Sequence, residues 1–128
     1  MQKTTGKPER NVLGLIAQLR DYFSPRIIGE VDDVYVKITK IKGDDVPWHA
    51  HDNEDEMFFI MEGSLVMEVA GEESFALNGG DFYIVKKGTQ HRVSSVEKCT
   101  MILVEGKSAK HTGNVQSRIT KSIEEQSR

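Results

Sequence analysis

The chain has little of what marks several specialised classes of protein. It contains one cysteine, Cys99, among 128 residues, so no disulfide can form within it. It carries 17 Lys and Arg against 20 Asp and Glu, and this slight acidic excess excludes the basic surface that binds nucleic acid or an anionic membrane. No apolar run has the length of a membrane span, and the first residues, MQKTTGKPER, lack a signal-peptide core. We therefore expect a cytoplasmic protein without a nucleic-acid or membrane partner.

The motifs of several common catalytic chemistries are absent as well. The sequence has no CxxC pair, no phosphate-binding glycine loop and no Ser-His-Asp order. Cys99 lies in the apolar run CTMILV, a setting in which a thiol is buried and unreactive. No general acid or base can be named, so the catalytic residues are unknown from the sequence.

Short strands separated by turns dominate the middle of the chain. Apolar residues make up 38% of the sequence and charged residues 29%, which is the composition of one globular domain of this length. The pattern predicts an antiparallel sandwich or barrel and not alternating βαβ units. The predicted strands are RIIGEV, DVYVKITKI, MFFIM, SLVMEVAG, ESFALNG, DFYIVK, HRVSSVE and CTMILVEG.

The two ends of the chain differ from this middle part. After a polar arm over residues 1–10, Asn11 is placed to cap a helix that runs to about Phe23 and is ended by Pro25. The apolar face of this helix packs either on the barrel or on a second subunit, and the sequence leaves both open. The polar segment after Gly106 is expected to lie on the barrel or on a partner and to fray at its end. We therefore divide the chain into an N-terminal arm and helix (1–25), a β-barrel (26–106) and a C-terminal extension (107–128).

Histidines and one glutamate occur at a spacing that favours a metal site. His49 and His51 are two residues apart, so in an extended chain they project from the same face. The polar run from Asp52 to Asp55 suits a turn that brings Glu56, at the start of MFFIM, close to both imidazoles. His91 follows a Lys-Lys-Gly turn and is a fourth candidate ligand. Three imidazoles and one carboxylate suit Fe, Mn, Zn, Ni or Cu as divalent ions, and they leave the identity open.

Other polar residues have simpler interpretations. His111 lies in the polar C-terminal segment and is interpreted as a structural or solvated histidine. Trp48 and the tyrosines are interpreted as ordinary packing. Strand alternation places Phe58 and Ile60 on the inward face with Glu56, and it places Val93 and Ser95 inward with His91. These neighbours predict a mostly apolar pocket that suits a small ligand with one chelating polar end.

The same residues resemble the cupin superfamily. Gly43, His49, His51, Glu56 and Gly63 fall on every required position of the first cupin signature. In the second signature the matching residues are Gly80, Gly88 and His91, whereas Lys86 stands where proline is usual and Ser95 where asparagine is usual.

The resemblance implies a specific fold and a range of activities. It is to small single-domain bacterial cupins, some of which are labelled mannose-6-phosphate-isomerase-like. It implies an all-β fold, a double-stranded β-barrel of cupin or jelly-roll type with a short N-terminal helix, and pairing of two subunits as a homodimer. It also implies a metal-dependent oxygenase or isomerase acting on a small polar metabolite. A non-catalytic module that binds a small molecule or a metal is the alternative, and a purely structural domain leaves the four ligands without a purpose.

Overall fold

The computed structural model of this chain describes residues 10–127, which form seven strands and two short helices. None of these helices is long and apolar enough to cross a membrane. The elements are α1 (Val12–Ala17), β1 (Arg26–Val31), β2 (Val34–Gly43), β3 (Glu56–Glu62), β4 (Ser64–Val69), β5 (Phe75–Asn78), β6 (Phe82–Val85), β7 (His91–Gly106) and α2 (Ile123–Gln126).

The strands form a β-barrel of antiparallel pairs, which confirms the predicted fold class. One sheet has the order β1-β2-β7-β3-β6, and β4 pairs with both β5 and the first part of β7. β3 and β4 are joined by a tight turn at Gly63, where φ is +90° and an added Cβ would lie 2.5 Å from the carbonyl oxygen of Lys98. Only glycine fits this turn without strain.

β7 is one strand of 16 residues, whereas the sequence pattern predicted two strands here. Residues His91 to Ser94 pair with β4, and residues from Cys99 onward pair with β2 and β3. Between them, residues 96–98 are exposed, and the side chain of Val96 is 83% accessible. The charged residues that indicated a turn therefore mark the place where one continuous strand changes partners.

The first helix is shorter than predicted. Asn11 caps it as expected, because its side chain accepts a hydrogen bond from the Gly14 N–H at 2.9 Å. The helix ends at Ala17 and not at Phe23, which instead has a left-handed backbone (φ +57°) and is buried in the core. Burial of this aromatic ring outweighs continuation of the helical repeat. Ile16 is buried within the same chain. The arm predicted for residues 1–10 lies outside the described residues except for Arg10.

The barrel interior follows the predicted alternation. Phe58 and Ile60 are buried on the face that carries Glu56, and Val93 and Ser95 are buried on the face that carries His91, as expected. Ser95, at the position where asparagine is usual, donates a hydrogen bond from Oγ to the Ile41 carbonyl at 3.2 Å. Cys99 is fully buried, as expected, and burial raises the pKa of its thiol to about 11, which favours the unreactive protonated form.

The C-terminal extension packs on the barrel, and its end is ordered instead of frayed. Ala109 and Ile119 are buried, and Ile119 belongs to the same hydrophobic core as the strands. The last helix has a capping box, in which Ser122 and Glu125 each bond to the backbone N–H of the other. Gln126 is 1% exposed. The extension therefore closes one end of the barrel.

The turn after β6 carries Lys86, where the second signature has proline. The Lys86 N–H has no backbone partner among the described residues, and Nζ makes only an exposed ion pair with Asp55 at 3.1 Å. We expect Lys86→Pro to shift the midpoint of thermal unfolding by no more than a few degrees, because an exposed ion pair contributes little and Val85 already has the extended backbone that a following proline needs. Circular dichroism during heating measures the shift, and a drop of more than about 10 °C would mean that this turn requires lysine.

Candidate metal centre

The four candidate ligands lie together inside one end of the barrel. The segment that carries His49 runs antiparallel to the start of β7, and the backbones of His49 and His91 exchange two hydrogen bonds of 3.0 and 2.9 Å. Glu56 begins β3 next to them, and the four side chains are 0–5% exposed. One ligand atom from each residue lies within 4.8 Å of the others. The structure thus brings together His49, His51, Glu56 and His91, as the spacing predicted.

Two of the imidazoles are oriented by the backbone. His49 donates from Nδ1 to the Pro47 carbonyl at 2.8 Å, and His91 donates from Nδ1 to the Thr89 carbonyl at 2.9 Å. Since a carbonyl oxygen can only accept, each Nδ1 carries the hydrogen and each Nε2 of the neutral ring has a free lone pair. Metal-binding histidines in proteins commonly have this arrangement, which fixes the tautomer and the angle of the ring.

The donor atoms fit a metal ion because they are buried without other partners. Nε2 of His51, Nε2 of His91 and Oε1 of Glu56 have no hydrogen-bond partner among the described residues. Oε1 of Glu56 lies 3.2 Å from Nε2 of His51 and 3.6 Å from Nε2 of His91. Two atoms bound to one metal at about 2.1 Å lie roughly 3–4 Å apart, so this spacing suits a shared ion. Buried polar atoms are costly to leave unsatisfied, and a bound cation removes that cost.

The charge states of the ligands also suit a cation. Burial lowers the pKa of His49 to about 4, and His91 beside it acts in the same direction, so its ring is neutral near pH 7. Burial raises the pKa of Glu56, but the contacts with His51 and His91 outweigh burial and hold it below its usual range. Burial lowers the pKa of His51, and Glu56 more than reverses this effect. Glu56 is therefore the anionic ligand of the set.

A small cavity of about 50 Å³ adjoins two of these ligands. This volume holds roughly three to five water-sized groups. Its walls are mostly apolar, as the strand alternation predicted. The lining residues are Phe23, Pro25, Thr39, Ile41, Val46, His49, Glu56, Phe58, Val93, Met101, Leu103 and His111.

His111 is half-buried and has a structural hydrogen bond, as one of the two interpretations expected, and it also lies at the cavity with the ligands. Its Nδ1 accepts a hydrogen bond from the Lys121 N–H at 2.8 Å, and burial lowers the pKa of His111 to about 4. No sequence signal identifies this position, because it depends on how the extension folds back. Gly113 lies directly on the ligand segment, where an added Cβ would be 2.9 Å from Cδ2 of His49.

A buried ion pair lies beside the ligand cluster, because Glu105 is opposite Glu56 in the pairing of β3 with β7. Nζ of Lys37, which is 1% exposed, is 2.7 Å from Oε1 of Glu105 and donates a 2.6 Å hydrogen bond to Oε1 of Gln126. Burial and the carboxylate of Glu56 raise the pKa of Glu105 to about 7, and Lys37 opposes this shift. The sequence analysis did not identify this group, although the alternation of β2 places Lys37 on the same inward face as Ile41.

Trp48 is not part of the barrel packing. Its side chain is 39% exposed, and the guanidinium of Arg92 lies 5.3 Å from the centre of its ring. This geometry is a cation–π contact at the surface. Tyr22 is also exposed, whereas Tyr83 packs against Phe75 with ring centres 4.9 Å apart. The packing interpretation is therefore correct for Tyr83 and wrong for Trp48 and Tyr22.

Comparison with protein-family models gives one match. The family described as "Cupin domain" matches residues 38–105, which is more than half of the chain and includes all four candidate ligands. A curated relative, "Uncharacterized protein YdbB" of Bacillus subtilis (strain 168), is 30% identical over 100 residues, which cover 78% of this chain and 88% of the relative.

Solved structures with the same fold include two of comparable size. A cupin-2 domain containing protein from Shewanella frigidimarina NCIMB 400 is 30% identical, with a TM-score of 0.72, over 76% of this chain and 93% of that protein. Protein NMB1881 from Neisseria meningitidis is 27% identical, with a TM-score of 0.69, over 77% of this chain and 99% of that protein.

Proposed function

This chain belongs to the Cupin domain family, and from that premise we propose that it is a metal-dependent enzyme acting on a small polar metabolite, by oxygenase-type or isomerase-type chemistry. The observation that carries the proposal is the buried cluster of ligand atoms from His49, His51, Glu56 and His91, in which those of His51, Glu56 and His91 have no hydrogen-bond partner among the described residues. A divalent Fe, Mn, Zn, Ni or Cu ion bound there would supply a Lewis acid with open positions for an oxygen of the substrate.

The residues around the ligands would prepare a bound molecule for reaction. The Nδ1 hydrogen bonds of His49 and His91 hold both rings in place, so these two ligands are oriented before a metal binds. Phe58, Val93 and Leu103 form an apolar wall beside His49 and Glu56, and this wall lowers the polarity around them. Low local polarity strengthens electrostatic interactions with a polarised oxygen.

A non-catalytic binding module is the second candidate function, and the size of the cavity favours it. A volume of about 50 Å³ accepts a ligand of only a few non-hydrogen atoms, less than most metabolites need. A protein that stores or senses a metal or a very small molecule needs no more space than this.

Turnover distinguishes the two candidates. We would incubate the metal-loaded protein in heavy water with small α-hydroxy and α-oxo acids, follow each compound by proton NMR and measure O₂ with an electrode. Isomerase-type chemistry exchanges hydrogen at the carbon beside the carbonyl for deuterium, and oxygenase-type chemistry consumes O₂. His91→Ala is the control, since it removes one ligand. Binding without either reaction across the panel would favour the binding module.

We also propose that the protein is a cytoplasmic homodimer. The apolar face of the first helix is partly buried within the same chain, because Ile16 packs there, so it offers less surface to a second subunit. The outer face of β3 and β6 offers another surface, since Phe82 is 61% exposed and Ile84 is 42% exposed. These residues lie opposite Phe59 and Met57 in the strand register, which makes the apolar surface continuous. Exposed apolar patches of this kind mark interaction sites.

Light scattering tests the dimer. We expect twice the single-chain mass of 14.4 kDa for the native protein, and the single-chain mass for Phe82→Glu, because a charge in the centre of the apolar face opposes its burial. Val96→Glu changes an exposed apolar residue elsewhere, on β7, and is the matched control. A native mass of 14.4 kDa would rule out the dimer.

A further inference from the structure

Two polar side chains that line the cavity are not among the four candidate metal ligands. The hydroxyl of Thr39 is buried at 4% exposure and has no hydrogen-bond partner among the described residues. His111 lines the same cavity from the C-terminal extension. Apart from these two, the lining consists of apolar side chains and the ligands His49 and Glu56.

The hydrogen bond that His111 accepts defines which of its ring nitrogens can donate to a bound molecule. The Lys121 N–H donates to Nδ1 at 2.8 Å, so the lone pair of a neutral ring is on Nδ1 and its hydrogen is on Nε2. Burial and the nearby ammonium of Lys37 lower the pKa of His111 to about 4, which keeps the ring neutral near pH 7. Since Nδ1 is engaged with the backbone of Lys121, the Nε2–H is the donor that this ring can offer to a molecule in the cavity.

Thr39 is a second donor of the same kind. It lies on the inward face of β2, where Ile41 and the other cavity walls are apolar. Valine would fill the same volume without a hydroxyl, and an unpartnered buried hydroxyl costs folding free energy. A bound oxygen atom that accepts from this hydroxyl removes that cost.

We propose that Thr39 and His111 bind the end of a compact oxygen-bearing molecule opposite the end held at the metal-ligating residues. The molecule has a few non-hydrogen atoms, one or two oxygens that reach the metal and a further oxygen that accepts from the Thr39 hydroxyl and the His111 Nε2–H. Small α-hydroxy and α-oxo acids have these features and the size that the cavity accepts. This inference rests on the proposed metal centre, and it assigns substrate recognition partly to the C-terminal extension, outside the matched residues 38–105.

Glycolate is the probe, titrated by calorimetry into the zinc-loaded full-length protein. Thr39→Val removes the hydroxyl at nearly constant shape. His111→Asn removes the Nε2–H and retains a side-chain oxygen for the Lys121 N–H. We expect each variant to weaken glycolate binding by about tenfold, with zinc content unchanged, because a hydrogen bond to a charged group has been lost. Thr39→Ser keeps a hydroxyl and is expected to bind glycolate within about threefold of the native protein.

The possible outcomes distinguish failure of this inference from failure of the proposed metal centre. Native-like glycolate binding by Thr39→Val and His111→Asn would overturn the proposal, and so would failure of the zinc-loaded native protein to bind glycolate. Equal weakening by Thr39→Ser and Thr39→Val would assign the effect to packing and also overturn it. Failure of the native protein to hold zinc would contradict the proposed function instead.

Discussion

The double variant His49→Ala/His51→Ala is expected to lose tight metal binding while its barrel remains folded. It removes two of the three imidazoles and leaves Glu56 and His91, which are too few ligands for a closed site. Loss of an orienting group alone lowers metal affinity by about 10–100-fold, so loss of two ligands is expected to exceed about 100-fold. Calorimetric titration with zinc measures the affinity, and far-UV circular dichroism measures the fold.

A matched control separates loss of ligands from loss of histidine in general. His111→Asn changes the fourth histidine of the chain, which lies at the cavity but is not one of the four clustered ligands. We expect this variant to bind zinc like the native protein. Full metal occupancy in the double variant would mean that the ligand assignment is wrong.

Lys37→Met is expected to lower the free energy of unfolding by about 1–3 kcal/mol near pH 7. It removes the cation that lies 2.7 Å from Oε1 of Glu105 and opposes the rise of the Glu105 pKa. The carboxyl group, whose pKa is already about 7, then takes up a proton and stays buried without its ion-pair partner, and its other oxygen has no partner either. The substitution also removes the donor to Gln126, so the last helix loses its bond to the barrel interior. Urea unfolding followed by fluorescence gives the free energy.

The double variant Lys37→Met/Glu105→Leu distinguishes the unpaired carboxyl group from loss of the lysine itself. Replacing both members of a buried ion pair with apolar residues is often neutral or stabilising, whereas removing one leaves a polar group buried without a partner. We therefore expect the second substitution to restore most of the stability. A double variant no more stable than Lys37→Met would contradict the buried pair.

The cluster of candidate ligands was predictable from the sequence because it depends on local geometry. The two-residue spacing of His49 and His51 places both side chains on one face of an extended segment, and Glu56 starts the next strand. The polar run from Asp52 to Asp55 is long enough for the chain to turn back between them. These relations hold whatever the rest of the barrel does, and the structure has all three side chains at one end of it.

The inward position of Lys37 and Thr39 could also have been predicted from the sequence, but these residues were not identified. Both have the inward parity of Ile41 in β2, and polar residues at inward positions of a strand require a partner or a ligand. A lysine among β-branched residues of a strand is, by contrast, usual on an exposed face. The many β-branched residues of this strand therefore obscured the inward position of Lys37 and Thr39, which the alternation of side chains predicts.

His111 and the end of the first helix could not be predicted, because each depends on contacts between distant segments. The extension reaches the ligand segment through Asn114, which bonds both the N–H and the carbonyl of Ala50. Phe23 leaves the helical repeat to fill the barrel core. In both cases a tertiary contact outweighs the local pattern, and a single sequence carries no signal of it.

Elemental analysis of protein purified without added metal or chelator, beside the His91→Ala variant, shows whether these four residues hold a metal ion. We expect nearly one equivalent of iron, manganese, zinc, nickel or copper per chain, and a large decrease in the variant, because His91 has a free Nε2 in the buried cluster. Absence of metal from the native protein, together with no uptake of these ions on titration, would contradict the proposed metal centre.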